Sequence, residues 1–241
     1  MIALETSLLD GLGDLEARAD EFIGVQVDSR RIAPGDLFVA VGRGSEFVDD
    51  AFMRGAAATL EPHDAFAALA LVGRAVRERS SARIVGITGS MGKTSTKDIL
   101  AALSAPSART IAAEASFNNE IGVPLTLCRL EEDTEVCILE LAMRGFGQIA
   151  ELAQIARPQI GVVTNVGPVH LELVDSLDGV VRAKSELIAA LPSGGTAIVP
   201  ADFPVSRDDV DVVRIGAPDA TRVAGRTIVG GVSFNFTAHH Q

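Results

Sequence analysis

At 241 residues the chain can hold one large domain or two modest ones, and 47% hydrophobic against 22% charged residues excludes a disordered protein. A net charge of −11 argues against general nucleic-acid binding, which needs a basic surface, yet leaves room for a small anion held by local amides and a lysine. The opening MIALETSLLDGLGDLEARAD is acidic and lacks a basic leader, and the longest apolar stretch, 65–73, is too short to span a bilayer. Cys128 and Cys137 sit in apolar runs without metal-ligand spacing, which suits buried reduced thiols. A cytoplasmic protein without membrane insertion is expected.

In chain order, 24–27 and 37–41 read as short strands separated by a turn at Ala33-Pro34-Gly35-Asp36. Residues 51–58 and 64–78 read as helices, the second with Phe66, Leu69, Val72 and Val76 on one side. The charged, small-residue stretch 77–82 then marks a boundary between a small α/β N-terminal domain (1–81) and a second domain (82–241). From Arg83 the pattern alternates: strands at 83–88, 136–140, 160–166 and 196–199, helices at 96–103, 147–156 and 177–191. Such alternation predicts a doubly wound, mostly parallel sheet with helices on both faces, whose ligands gather at the carboxyl ends of the strands. Residues 223–236 read as a β-hairpin around Gly230-Gly231, with no closing helix behind it.

The most informative run is RIVGITGSMGKTSTK, residues 83–97. Ile84, Val85 and Ile87 supply a buried strand, and Gly89 and Gly92 let the backbone curl until its N–H groups point inward. Lys93 adds a positive charge, Thr94 places a hydroxyl for Mg²⁺, and the following helix turns its N-terminal dipole toward the same anion. Gly89, Ser90, Met91, Gly92, Lys93, Thr94 and Ser95 are therefore the expected contacts to a nucleoside triphosphate. Glu140 ends an apolar strand beside this loop, where a carboxylate can hold Mg²⁺. His170 follows a buried strand and a Gly-Pro turn that deliver it to the same edge of the sheet. Lys184 lies in a helical stretch, and spacing alone leaves it on a solvated face. Asn118 and Asn119 form a polar loop before a helix, where turn formation would account for them equally well.

Together these segments resemble the Mur ligase family. The resemblance is carried by Val27-Asp-Ser-Arg30 with Pro34-Gly-Asp-Leu-Phe-Val-Ala40, Thr88-Gly-Ser-Met-Gly-Lys-Thr94, Asn118-Asn-Glu-Ile-Gly-Val-Pro124, Glu140-Leu-Ala-Met-Arg-Gly145, Thr164-Asn-Val-Gly-Pro-Val-His-Leu-Glu172 and Ala183-Lys-Ser-Glu186, in family order. Lys97-Asp98, Met143-Arg-Gly145 and the Gly-Pro-Val-His run are similar to the branch that joins D-alanyl-D-alanine to UDP-N-acetylmuramoyl-tripeptide, rather than to the branch that adds the third residue of the peptide.

The resemblance implies an ATP-dependent amide ligase acting through an acyl phosphate, with two Mg²⁺ ions and as a monomer. One ion would be held by Thr94 and Glu140, the other by His170 and Lys184, with Lys184 carbamylated. Catalytic roles would fall to Lys93, Glu140, His170 and Lys184. Asp28, Ser29 and Arg30 would lie near the uridine nucleotide, and Asn118, Asn119 and Arg144 toward the substrate. The stretch Arg43-Gly44-Ser45 lacks a histidine usual in the family, and Glu114-Ala-Ser116 replaces a common Gly-Asn. The family's C-terminal domain has no counterpart here, so a fragment with impaired activity is expected. A ligase of the branch that adds an amino acid to the UDP-muramoyl peptide, a generic P-loop kinase, and a nucleotide-binding module without catalysis are the competing readings.

Overall fold

The computed structural model describes residues 1–168 and 174–216, together with the backbone of three short strands at 221–223, 226–229 and 232–235. An antiparallel ribbon pairs β1 (Leu4–Glu5) with β3 (Glu21–Phe22), flanking β2 (Gly13–Ala17). A four-stranded sheet follows in the order β2-β6-β5-β4, from β4 (Gly24–Gln26), β5 (Asp36–Val39) and β6 (Ala58–Pro62). Its β4–β5 and β5–β6 pairs are parallel, and β2–β6 is antiparallel.

The helix expected over 51–58 is instead α1 (Val48–Met53). Gly55 takes φ +96°, a left-handed conformation that turns the chain, and Ala58 opens β6. α2 (Ala65–Arg79) is capped by the Asp64 carboxylate, which accepts from Phe66 N and Ala67 N. Leu69, Val72 and Val76 are buried as the spacing predicts, whereas Phe66, in the first turn, stays 46% exposed.

From Arg83 the chain builds a six-stranded sheet: β7 (Arg83–Thr88), β8 (Thr110–Ala112), β9 (Val136–Glu140), β10 (Ile160–Val163), β11 (Thr196–Pro200) and β12 (Asp211–Ile215). All neighbouring pairs are parallel, in the order β12-β11-β10-β7-β9-β8. The crossovers are α3 (Lys93–Ser104), α4 (Gly122–Leu127), α5 (Gln148–Ala156) and α6 (Leu177–Ala189). Side chains alternate across each strand, so Val85, Ile87 and Ile138 pack toward Leu100 and Ala101 of α3. Ile84, Cys137 and Leu139 pack on the other face, in one cluster with α4, α5 and α6. The doubly wound parallel sheet is thus present. β7 lies at its centre, where the strand order reverses direction, and such switch points are where ligands bind. Beyond it, β13 (Thr221–Val223), β14 (Arg226–Val229) and β15 (Val232–Asn235) form an antiparallel sheet, and β14–β15 is the expected hairpin.

The two sheets share a core. α2 packs against α4 and α5, and Leu60, Leu69 and Val76 belong to the same cluster as Val123, Leu139 and Leu152. Arg77, part of the charged stretch read as a boundary, is a buried helix residue. Its Nε donates to Ala156 O at 3.0 Å and Nη1 to Ser80 O at 2.9 Å, closing the carboxyl end of α5.

Cys128 and Cys137 are buried and unbridged, and burial pushes both thiols up to about 12 from an ordinary 9.0. Above pH 9 the unfolded chain loses thiol protons that the folded chain keeps, so this contribution to stability, complete below pH 9, is lost as pH rises toward 12. Urea unfolding should show a fall of about 1.4 kcal/mol per pH unit for each thiol across that window. The doubly alanine-substituted chain should lack that slope. Because the chain has no tyrosine or tryptophan, thiolate absorbance can be followed without phenolate overlap.

Candidate active site

Glycines and a lysine make the centre of the site. Gly89 leaves β7 against the arm that follows β10; a Cβ there would stand 1.8 Å from Thr164 Oγ1, so no larger residue fits without displacement. The arm clamps the loop. Ser90 N donates to Asn165 O at 3.2 Å, Met91 N to Asn165 Oδ1 at 2.9 Å, and Thr164 Oγ1 to Met91 O at 2.6 Å. Ser90 Oγ donates to Gly167 O at 3.1 Å and accepts from Gly167 N at 2.9 Å. The strand expected over 160–166 stops at Val163, and Thr164 and Asn165 just beyond it shape the loop.

Gly92 then enters α3 as a left-handed N-cap with φ +79°. Side chains cap the other long helices described: Asp64 on α2, Ser176 Oγ accepting from Gly179 N on α6, and Glu186 on α5. Glu186 accepts from Gly147 N at 2.7 Å and Ala150 N at 3.1 Å, which gives the Ala183-Lys-Ser-Glu186 motif a structural member. α3 has no capping side chain and no acidic residue in its first turn, so its terminal N–H groups and dipole face the loop. Lys93 Nζ donates to Gly89 O at 2.9 Å, within reach of any group the loop encloses.

Beside the loop, β9 ends in Glu140, 2% exposed. Thr94 Oγ1 donates to its Oε2 at 2.8 Å and Asn118 Nδ2 to its Oε1 at 2.9 Å. The Glu140 side chain faces α3 because Glu140 alternates with Ile138 on that side of the sheet. Lys184 is 2% exposed on α6, not solvated. Burial and then the nearby positive charge of Lys93 lower its amine to about 8. Lys93, Thr94, Asn118 and Glu140 thus converge at the carboxyl end of β7 and β9, and Lys184 lies close enough for the Lys93 charge to act on its amine. Asn119 caps the start of α4, its Oδ1 accepting from Gly122 N at 3.0 Å. Arg144 is exposed just beyond β9, its N–H donating to Gln148 Oε1. His170 lies outside the described residues.

Asp28, Ser29 and Arg30 occupy a different place. Arg30 Nε and Nη2 pair with Asp28 at 2.9 and 2.7 Å, and this pair holds the Asp28 carboxyl at about 2. Asp28 lines a cleft of about 170 Å³ with Arg31, Glu114, Phe117 and Arg129, between the two sheets, and Arg31 reaches Glu114 across it at 3.0 Å.

Chemically, the loop and the free end of α3 suit a polyphosphate. Thr94 and Glu140 are hard oxygen donors that suit Mg²⁺, which takes one or two carboxylates and completes its shell with phosphate oxygens and water. Among the described residues no group of three or more His, Cys, Asp or Glu could hold a metal without such help. Sequence reasoning singled out Lys97-Asp98 only as part of the family resemblance and gave Lys97 no role; the structure buries it to 3% exposure, one turn beyond Lys93.

The family model of the Mur ligase middle domain matches residues 87–231. The chain is 39% identical over 194 residues to a UDP-N-acetylmuramoyl-tripeptide–D-alanyl-D-alanine ligase of Synechocystis, covering 73% of this chain and 43% of that protein. The enzyme of the same name from Escherichia coli is 36% identical over 224 residues, covering 84% and 49%. Among solved structures, MurF from Acinetobacter baumannii superposes with a TM-score of 0.77 at 27% identity, covering 88% of this chain and 53% of that one. MurF from Thermotoga maritima in complex with ADP gives 0.71 at 28% identity, covering 85% and 54%. The chain spans about half the length of the relatives it matches. A matching middle-domain model over more than half the residues, on a parallel sheet with its phosphate loop and strand-end carboxylate in place, means that the chain belongs to the Mur ligase family.

Proposed function

We propose that this chain carries the ATP-binding core of an ATP-dependent amide ligase that joins D-alanyl-D-alanine to UDP-N-acetylmuramoyl-tripeptide. The observation that carries the reading is the convergence of Lys93, Thr94, Asn118 and Glu140 on a phosphate loop, in a chain 34–39% identical to enzymes of that name. The terminal carboxylate of the tripeptide attacks the γ-phosphorus of ATP, giving an acyl phosphate and ADP. The amine of D-alanyl-D-alanine then attacks the acyl carbon, loses a proton, and phosphate leaves. Lys93 and the amides of residues 89–95 hold the phosphates, and Thr94 and Glu140 would hold Mg²⁺. Bound Mg²⁺ offsets charge on the transferring phosphoryl group.

Lys184 suits carbamylation. Its amine, lowered to about 8, is partly neutral near physiological pH and can add CO₂ with release of a proton, leaving an anionic oxygen donor. Thr88 Oγ1, buried without a partner among the described residues, lies at the end of β7 on the face of Ile84. Gly86, two residues before Thr88 on that face, lies against Leu187 of α6, so an anion on Lys184, one turn earlier in α6, would be an acceptor on the side this hydroxyl faces.

Residues 1–81 would then form the nucleotide-sugar unit and 82–241 the ATP unit, with the 170 Å³ cleft between the sheets at their junction. A cytoplasmic location agrees with substrates of this kind; among the described residues no helix is long and apolar enough to cross a membrane.

The test is phosphate release from ATP by the complete product of the gene. Release should require both UDP-N-acetylmuramoyl-tripeptide and D-alanyl-D-alanine. Equal release with unrelated acceptors would rule the ligase out.

A further inference from the structure

Lys97 is a buried cation beside the site that the chemistry above leaves unused. It lies one turn beyond Lys93 on α3, 3% exposed. Its Nζ donates to Ala113 O at 2.7 Å and Ala115 O at 3.0 Å, and it pairs with Asp98 at 3.0 Å. Taking an ammonium out of water is costly unless it is matched, and here two carbonyls accept hydrogen bonds from it while the Asp98 carboxylate pairs with its charge. Both carbonyls belong to the segment that leads from β8 to Asn118. That segment contains Ala115 at φ +44°, a left-handed conformation that a residue with a Cβ adopts only when its surroundings impose it.

The segment ends at the site. Asn118 donates to Glu140 Oε1, and Asn118 O accepts from Ala142 N at 2.9 Å. α3 is therefore joined to this segment in two ways. One runs from Thr94 to Glu140 to Asn118, and the other is the direct pair of bonds from Lys97. The first uses the Thr94 hydroxyl and the Glu140 carboxylate, the groups that suit a metal ion, and a metal drawing on their oxygens weakens it. The second uses no group of the phosphate site.

We propose that Lys97 is a positioning residue: it holds the 113–118 segment against α3, so that Asn118 keeps the Glu140 carboxylate in place when Mg²⁺ draws Thr94 away from it. The inference rests on the nucleotide-site reading above, and ADP binding by the unsubstituted chain tests that reading separately.

The experiment is calorimetric titration of the full chain with ADP, in EDTA and in MgCl₂. Lys97→Met keeps the length of the side chain and removes all three donors. ADP affinity in EDTA should stay within about twofold, while the gain conferred by Mg²⁺ should fall about tenfold, about 1.4 kcal/mol. Asn118→Ala should show the same selective loss, and the double variant should be no worse than Asn118→Ala alone, since both act on one carboxylate. An equal loss in EDTA and in MgCl₂ would mean a merely structural role and overturn the proposal. So would an unchanged Mg²⁺ gain, or additive losses in the double variant. If Lys97→Met does not fold, Lys97→Gln, which keeps amide donors without a charge, is read against the same criteria. If the unsubstituted chain fails to bind ADP, the nucleotide site falls and this inference with it.

Discussion

Replacing Lys93 with alanine is expected to weaken ADP binding by about 10- to 150-fold, the loss of one charge-assisted hydrogen bond of about 1.5–3 kcal/mol. The chain should remain folded. Lys93 is half-buried, and its hydrogen bond to Gly89 O lies within the loop and crosses to no other element. Removing it costs little when no ligand is present, because the carbonyl it releases can be hydrated. AMP discriminates between mechanisms. If Lys93 serves the terminal phosphates, AMP binding should change little while ADP binding collapses. Lys93→Arg should recover only part of the affinity, because a planar guanidinium spreads its charge over a fork where a compact ammonium stood. Equal ADP affinity in Lys93→Ala and the unsubstituted chain would remove the loop from the phosphate site, whatever its shape.

Local chemistry and long-range packing differ in how legible they were. β7 matches the expected 83–88, because an apolar run followed by Gly-x-x-Gly-Lys-Thr carries its own start and stop. The parallel sheet followed from alternation alone, and Glu140 was found because strand ends are where such sheets place their chemistry. The burial of Lys184 and Lys97 was not legible from spacing, and only the family resemblance drew attention to either. A lysine on a helix is exposed by default, and its burial depends on which face the helix turns to the sheet. The helix expected over 51–58 failed for a related reason: three alanines favour a helix in isolation, but Gly55 ends it and a neighbouring strand claims Ala58 as a pairing partner. Asn118 was singled out as a loop residue, but its bond to Glu140 joins positions 22 apart in the chain, and no local pattern encodes that.

The arm after β10 makes the second large prediction. Gly89→Ala would place a Cβ 1.8 Å from Thr164 Oγ1, 3.1 Å from Thr164 Cβ and 3.3 Å from Asn165 N. The arm must then move, and with it the bonds from Ser90 and Met91 to Asn165 and Gly167. Overpacking of this kind costs about 1–3 kcal/mol, so ADP affinity should fall by up to about 100-fold, with a lower thermal midpoint. Gly92→Ala is the control. A Cβ there meets nothing within 4 Å, and its cost is the left-handed φ of +79° alone, about 1–2 kcal/mol. The two variants separate on adding Thr164→Ala. That change removes the atom 1.8 Å away and should restore part of the ADP affinity of Gly89→Ala, while giving Gly92→Ala nothing. Failure of Thr164→Ala to help Gly89→Ala, or equal help to both, would mean that the arm does not shape the loop. Both variants carry the strain of a positive φ, +153° at Gly89 and +79° at Gly92, so the contact with Thr164 is what separates them, and ADP titration reads it without substrate or turnover.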